Sequence, residues 1–243
     1  MYYSDVQLFN ENCIEIMKKL SDESVDLIVT DPPYKVTSRG RGKKGTTTSG
    51  GMLLKKDVNS GKIFKHNDIK PSKYIPEFYR VLKNGSHCYI MCNNVNLHEM
   101  LTAAKECGFH FIKALIWDKG NKIMSQAYMS QFEYILFFRK GKFKKINNCG
   151  TSDIISIPNK KTKGKDGKNL HDTEKPVELM KILIENSSQE RETVFDPFLG
   201  IGATAIASVE SNRQIIGCEI DEYYFNIAKE RIINTLTNIK RGL

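Results

Sequence analysis

The segment Thr193–Ala205, "TVFDPFLGIGATA", constrains the fold more than any other stretch of this chain. A short apolar run stops at an acid and a proline, two glycines follow, and small residues then open a helix. A second apolar run, "QIIGCEI" over 214–220, carries an acid, Glu219, near its end. Gly200, Gly202 and Ala205 fit the spacing G-x-G-x-x-G/A. In that pattern the glycines let the backbone approach a ligand closely, and the acid ending the next strand bonds the two hydroxyls of a ribose. The turn alone does not separate a nicotinamide dinucleotide from S-adenosylmethionine, because both present a ribose diol.

The same alternation runs through the rest of the chain. Strands are expected at 6–9, 24–30, 87–92, 109–117, 132–139, 193–198 and 214–220. Helices are expected at 13–20, over "SKYIPEFYRVL" up to a stop at Asn84-Gly85, and at 95–107, 175–187, 203–211 and 222–237. Continuously apolar strands between helices imply a mostly parallel sheet covered on both faces, a doubly wound α/β fold. Too few residues separate 109–117 from 132–139 for a helical crossover, so these two form an antiparallel pair at one edge. A length of 243 residues suits a single domain.

No apolar run approaches the ~20 residues of a membrane span, and the N-terminus lacks a basic region followed by an apolar one. The expectation is a cytoplasmic protein with no membrane partner. Cysteines 13, 88, 92, 107, 149 and 218 are scattered without a CxxC pair, so they read as buried free thiols, and no metal site is expected.

Lys and Arg number 37 against 28 acids, a net charge of +9. The excess is concentrated. Residues 35–70 hold ten basic side chains against Asp57 and Asp68, and "RKGKFKK" (139–145) and "NKKTKGKDGK" (159–168) form a second cluster. Neither shows apolar periodicity. Both read as loops that contact phosphates.

The strand at 24–30 ends at "DPPY", Asp31 to Tyr34. In an open α/β sheet, ligands bind outside the carboxyl ends of the strands. The two prolines hold the following backbone extended and still offer carbonyl acceptors. A carboxylate, a carbonyl and a ring together suit a planar group with an exocyclic NH₂: acceptors for its hydrogens, and Tyr34 to stack on its face. A nucleobase fits, and from a duplex it must first be flipped out of the stack. A hydride-transfer enzyme has no evident use for this motif.

With "DPPY" (31–34) and "DPFLGIGAT" (196–204) both in place, the chain resembles the S-adenosylmethionine-dependent, amino-directed DNA methyltransferases, with the Rossmann-like fold of that family. The motif order, catalytic first and cofactor last, resembles the β group. Weaker echoes are "RVLKNGSHCYI" (80–90), "LIWDKGN" (115–121), "FEYILFFRKGK" (132–142), "HDTEKPVELM" (171–180) and "GCEIDEYYFNIAKERI" (217–232).

The resemblance implies roles. Asp31, Pro32, Pro33 and Tyr34 form the catalytic set, with Asp31 also near the cofactor. Asp196, Pro197, Phe198, Gly200, Gly202 and Thr204 belong to the motif that cradles the cofactor's methionine portion. Glu219 binds its ribose, Ile220 lies against its adenine, Thr173 and Lys175 lie near its carboxylate, and Asn12 lies near the adenine. One catalytic domain over 1–243 would then recognise double-stranded DNA through the basic insertions at about 35–70 and 143–170. Family members often pair, which raises a homodimer.

Three departures stand out. Ile201 and Ala203 replace usual hydroxyl residues, Asp172 a usual proline, and Asn12 a usual acid. The expected reaction is transfer to adenine N6, because cytosine members more often begin the catalytic motif with Ser. Cytosine N4, an RNA substrate and a catalytically silent DNA-binding relative are the alternatives.

Overall fold

The computed structural model describes residues 2–3, 5–33, 69–123, 128–164, 167, 169–171 and 173–241. Tyr34, Asp172 and most of the first basic insertion, 35–68, lie outside them.

In chain order the elements are β1 (Tyr2–Tyr3), β2 (Val6–Phe9), α1 (Cys13–Lys19), β3 (Val25–Thr30), α2 (Pro71–Val81), β4 (Leu82–Cys92), α3 (Leu97–Glu106), β5 (His110–Ile123) and β6 (Ser130–Arg139). Then follow β7 (Ile154–Ser156), α4 (Val177–Ser187), β8 (Thr193–Asp196), α5 (Ala203–Glu210), β9 (Gln214–Cys218) and α6 (Glu222–Arg241). The strands form a sheet in the order β1-β2-β9-β8-β3-β4-β6-β5-β7. The inner strands β2, β9, β8, β3 and β4 are mutually parallel, as their unbroken apolar character implies.

Two apolar layers cover the two faces. Val25 and Ile28 of β3 pack with Ile16, Tyr74, Phe78 and Met100 from α1, α2 and α3. Leu27 and Val29 pack with Leu179, Leu183, Ala207 and Ala228 from α4, α5 and α6. The first half of the chain thus covers one face and the second half the other. Cys13, Cys88, Cys92 and Cys218 are buried thiols, Cys107 is half-buried and Cys149 is exposed. Among the described residues, no helix is long and apolar enough to cross a membrane.

Three details differ from the sequence expectation. Asn84-Gly85 does not stop α2: Leu82 caps the helix and already begins β4. Gly85, with φ of 86°, sits where the β3–β4 pairing jumps from Val25↔Leu82 to Leu27↔His87, so its left-handed conformation serves a bulge. The antiparallel pair is present, with β6 inside against β4 and β5 outside, but the sheet edge is β7, which adds in parallel to β5. That strand comes from the second basic segment, which is therefore not a plain loop. Ile155 and Ile157 are buried, and Trp117 Nε1 donates to the Ile157 carbonyl at 2.9 Å.

Gly202 caps α5 with φ of 87°, and a Cβ there would stand 3.2 Å from Ala228 Cβ. Only glycine meets both demands, the left-handed backbone and the close approach of α6. Gly202→Ala should lower stability by about 1–3 kcal/mol, read as a fall in the urea midpoint at unchanged slope.

Candidate active site and cofactor cleft

The order β9-β8-β3 brings three carboxyl ends side by side, and each ends in an acid: Glu219, Asp196 and Asp31. Residue parity sets where they point. Asp31 is two residues beyond Val29, and Asp196 two beyond Val194, so both lie on the face covered by α4, α5 and α6. A cavity of about 320 Å³ opens there, at the low end of the size of small-molecule pockets.

Most residues singled out from sequence come together on this cavity. Asn12, Asp31, Pro32, Pro33, Thr173, Lys175, Asp196, Pro197, Phe198, Gly200, Thr204, Glu219 and Ile220 all line it. Gly202 does not; its contact is with α6, as described above. Glu11, Cys13, Ile69, His171, Glu174 and Tyr224 also line the cavity and were not expected.

The three acids are held differently. Asp196 is satisfied internally: its Oδ1 accepts from Thr30 Oγ1 at 2.7 Å and from the Phe198 N–H at 3.1 Å. Burial still pushes its carboxyl up to about 6, against the hydrogen bonds from Thr30, Thr204 and Phe198. Glu219 accepts the Gly200 N–H on Oε2 at 2.8 Å and the Asp221 N–H on Oε1 at 2.9 Å, so it braces the glycine turn. Burial raises its carboxyl to about 7. Gly200 has φ of 55° and nothing within 4 Å of where a Cβ would stand. Beside the braced acid the backbone is therefore open to a ligand, and each Glu219 oxygen keeps accepting capacity for a ribose hydroxyl.

Asp31 has a charged partner. Its Oδ2 accepts from Lys175 Nζ at 2.5 Å, while its Oδ1 is buried with no hydrogen-bond partner among the described residues. Burial raises the Asp31 carboxyl, and Lys175 only partly offsets this. Lys175, expected beside a cofactor carboxylate, lines the cavity and is paired there with Asp31.

Other anchors became visible only in three dimensions. Glu174 is buried and accepts from Thr162 N (2.7 Å), Thr162 Oγ1 (2.8 Å) and Arg231 Nη2 (2.9 Å). Arg231 also donates to the Ile201 carbonyl at 2.7 Å. This clasp ties the segment carrying His171, Thr173 and Lys175 to the glycine turn. His171 meets Tyr224 edge-on at 4.5 Å between ring centroids. Asn12 caps α1, accepting from the Ile14 N–H at 2.9 Å.

An open parallel sheet with an acid-braced glycine turn and a buried acceptor at the neighbouring strand end defines a doubly wound α/β protein of nucleoside-cofactor type. The family model described as DNA methylase, for N6 and N4 methyltransferases, matches residues 25–230. The chain belongs to this family of DNA methyltransferases. It is 28% identical to the type II methyltransferase M2.MboI of Moraxella bovis over 92% of this chain and 86% of the relative. Two solved structures share the fold. M1.HpyAVI, crystallised as a complex with S-adenosylmethionine, has a TM-score of 0.68 at 23% identity over 93% of this chain and 99% of its own. The PvuII DNA methyltransferase, described as cytosine-N4-specific, has 0.71 at 14% identity over 99% and 94%.

The raised carboxyls fix a pH dependence. Between an unfolded value near 4.5 and the folded value of about 7, Glu219 binds more protons in the native state than in the unfolded one. Its contribution to stability is therefore lost as pH rises through that window. The ligand-free protein should lose more stability between pH 5 and pH 8 than Glu219→Gln does. Comparing the two proteins by urea unfolding cancels other groups, such as buried His87, whose imidazole is lowered to about 4 by burial.

Proposed function

We infer that this DNA methyltransferase transfers a methyl group from S-adenosylmethionine to N6 of an adenine flipped out of double-stranded DNA. The observation that carries the reading is Asp31 Oδ1, a buried acceptor with no partner among the described residues, on the cavity that Glu219 and Gly200 also line. An unpartnered buried carboxylate oxygen is costly, and it suits an incoming N–H donor.

S-adenosylmethionine, when bound, supplies an activated methyl group on a sulfonium. The braced glycine turn, Asp196 and Glu219 would hold it, with Ile220 and Asn12 toward its adenine. Asp31 and the Pro32 carbonyl accept the two hydrogens of the target amine. An aryl amine's lone pair is delocalised into the ring; acceptor bonds favour an sp³-like nitrogen and free that pair for attack. This nitrogen would take the methyl group from the sulfonium, and Asp31, whose raised carboxyl is a better base than an exposed one, would take the amine proton. The remaining help is orientation and electrostatics.

Adenine is favoured because the motif opens with Asp31 and not Ser. Cytosine N4 is the competing target, since the same acceptors suit either amine and the PvuII enzyme shares the fold. The basic segments would grip phosphates and set the recognised sequence. The similarity to a type II methyltransferase suits a restriction–modification role.

Incubation with unmethylated DNA and S-adenosylmethionine, followed by nucleoside mass spectrometry, should show N6-methyladenine. N4-methylcytosine in its place would select the other target. Asp31→Ala should lower the transfer rate by a factor on the order of 10²–10³ or more, with cofactor affinity by calorimetry little changed. Undiminished methylation in that variant would sink the role given to Asp31.

A further inference from the structure

Behind Asp31 stands a chain of buried charges that the catalytic motifs do not include. Lys175 Nζ lies 2.5 Å from Asp31 Oδ2 and 3.4 Å from Glu133 Oε2, and Lys119 Nζ lies 3.1 Å from Glu133 Oε1. The side chains of Lys175 and Lys119 are only 4% and 7% exposed, and those of Asp31 and Glu133 about a fifth. Both ammonium groups also sit near the face of fully buried Trp117, at 6.0 and 5.8 Å from its ring centroid.

Strand register explains the convergence. Thr30 pairs with Ile90, and Cys92, the last residue of β4, pairs with Tyr134. Continued by one residue, that register sets Asp31 level with Met91 and Ile135; Glu133, two residues from Ile135 on the same face, lies just past the carboxyl end of β4. It pairs with Trp117 across β5, and Lys119 is two residues further along the same face. Signs alternate along the row: Asp31, Lys175, Glu133, Lys119.

We propose that Glu133 and Lys119 are positioning residues for methyl transfer: Glu133 holds Lys175 to one side, so that the lysine takes only Asp31 Oδ2 and leaves Oδ1 open to the target amine, while Lys119 neutralises Glu133. A lysine with no second carboxylate would swing to span both Asp31 oxygens and occupy the acceptor. A Glu133 with no Lys119 would draw Lys175 away and oppose ionisation of Asp31. The proposal rests on the reading of Asp31 as the acceptor for the target amine.

The charged and titratable groups facing Asp31 are Lys175 before α4, Glu133 on β6, Lys161 after β7, Asp196 on β8 and Cys92 on β4. Glu133 raises the Asp31 carboxyl and Lys161 lowers it. Glu133 itself, which burial would raise, is held below its usual range by Lys175 and Lys119.

The test uses ¹³C-carboxyl NMR titration of ligand-free protein, with the Asp31 resonance assigned through Asp31→Asn, beside kcat against pH on DNA. Glu133→Gln should move the Asp31 midpoint down by about one pH unit and cut kcat near pH 8 at unchanged cofactor affinity. Lys119→Met should move the midpoint and the acid limb of kcat up. Glu133→Asp and Lys119→Arg, which keep the charges, should stay near wild type. Should Lys119→Met not fold, the downward shift with Glu133→Gln and its absence with Glu133→Asp still decide. Shifts of the same sign in Glu133→Gln and Lys119→Met, or no shift in Glu133→Gln, would overturn the proposal. Opposite shifts in Glu133→Gln and Lys119→Met, with DNA left unmethylated by the wild-type protein, would support the alternating row of charges and reject the functional reading instead.

Discussion

The parallel pairing of β3 with β8, fastened at its end by the bond from Thr30 to Asp196, is the constraint on which the site depends. It sets the end of β3, which carries Asp31, one strand spacing, roughly 4.8 Å, from the strand that feeds the glycine turn. Pairing of β8 with β9 then adds Glu219 at the next position. Three acids in a row at the carboxyl edge give the site two ends. At one is a braced backbone open to a ligand, and at the other a carboxylate oxygen with no partner among the described residues, which the proposed function assigns to the target amine. Sliding β3 by one residue would turn Asp31 to the opposite face, where α1, α2 and α3 pack.

Burying three carboxylates together is costly, and the chain meets the cost in three different ways. Asp196 accepts from hydroxyl and backbone donors, so it fastens the strands while it lines the cavity. Glu219 takes one backbone N–H on each oxygen and keeps lone pairs to spare. Asp31 alone is matched with a cation, and on one oxygen only. A buried ion pair of this sort adds little net stability compared with apolar packing. On the proposed function, its worth lies in holding the acceptor in one orientation inside a low-dielectric site.

What could be read from the sequence follows from what is local. The glycine turn, its acid and the Asp-Pro-Pro corner are contiguous and chemically loud, and the strands that carry them are continuous apolar runs. Asn84-Gly85 is equally local, yet it misled. A glycine in the left-handed region ends a helix or makes a bulge with the same φ, and only the β3–β4 register decides between them. The edge strand β7 is three residues long and set among basic and polar neighbours, so no periodicity marks it. Glu133 and Lys119 are charged residues at the ends of apolar runs and look like solvated strand ends. Their burial comes from β6 and β5 running beyond the end of β4, a fact of pairing and not of pattern. Glu174 and Arg231 are 57 residues apart, and nothing nearby in sequence announces their contact.

That contact also bears on the departures at 201 and 203. A hydroxyl at either position would be one more group to hold a ligand or the turn. Ile201 instead contributes its backbone: its carbonyl accepts from Arg231, while its side chain is 3% exposed. Ala203 begins α5 and belongs to the apolar layer shared with α4 and α6. The turn is thus held from outside, by Arg231 through Ile201 and by Glu219 through Gly200. The same Arg231 binds Glu174, one residue before Lys175. A single cation therefore couples the glycine turn to the segment that delivers the lysine to Asp31. Apolar residues at 201 and 203 are compatible with a rigid turn because the rigidity comes from this clasp and not from their own side chains.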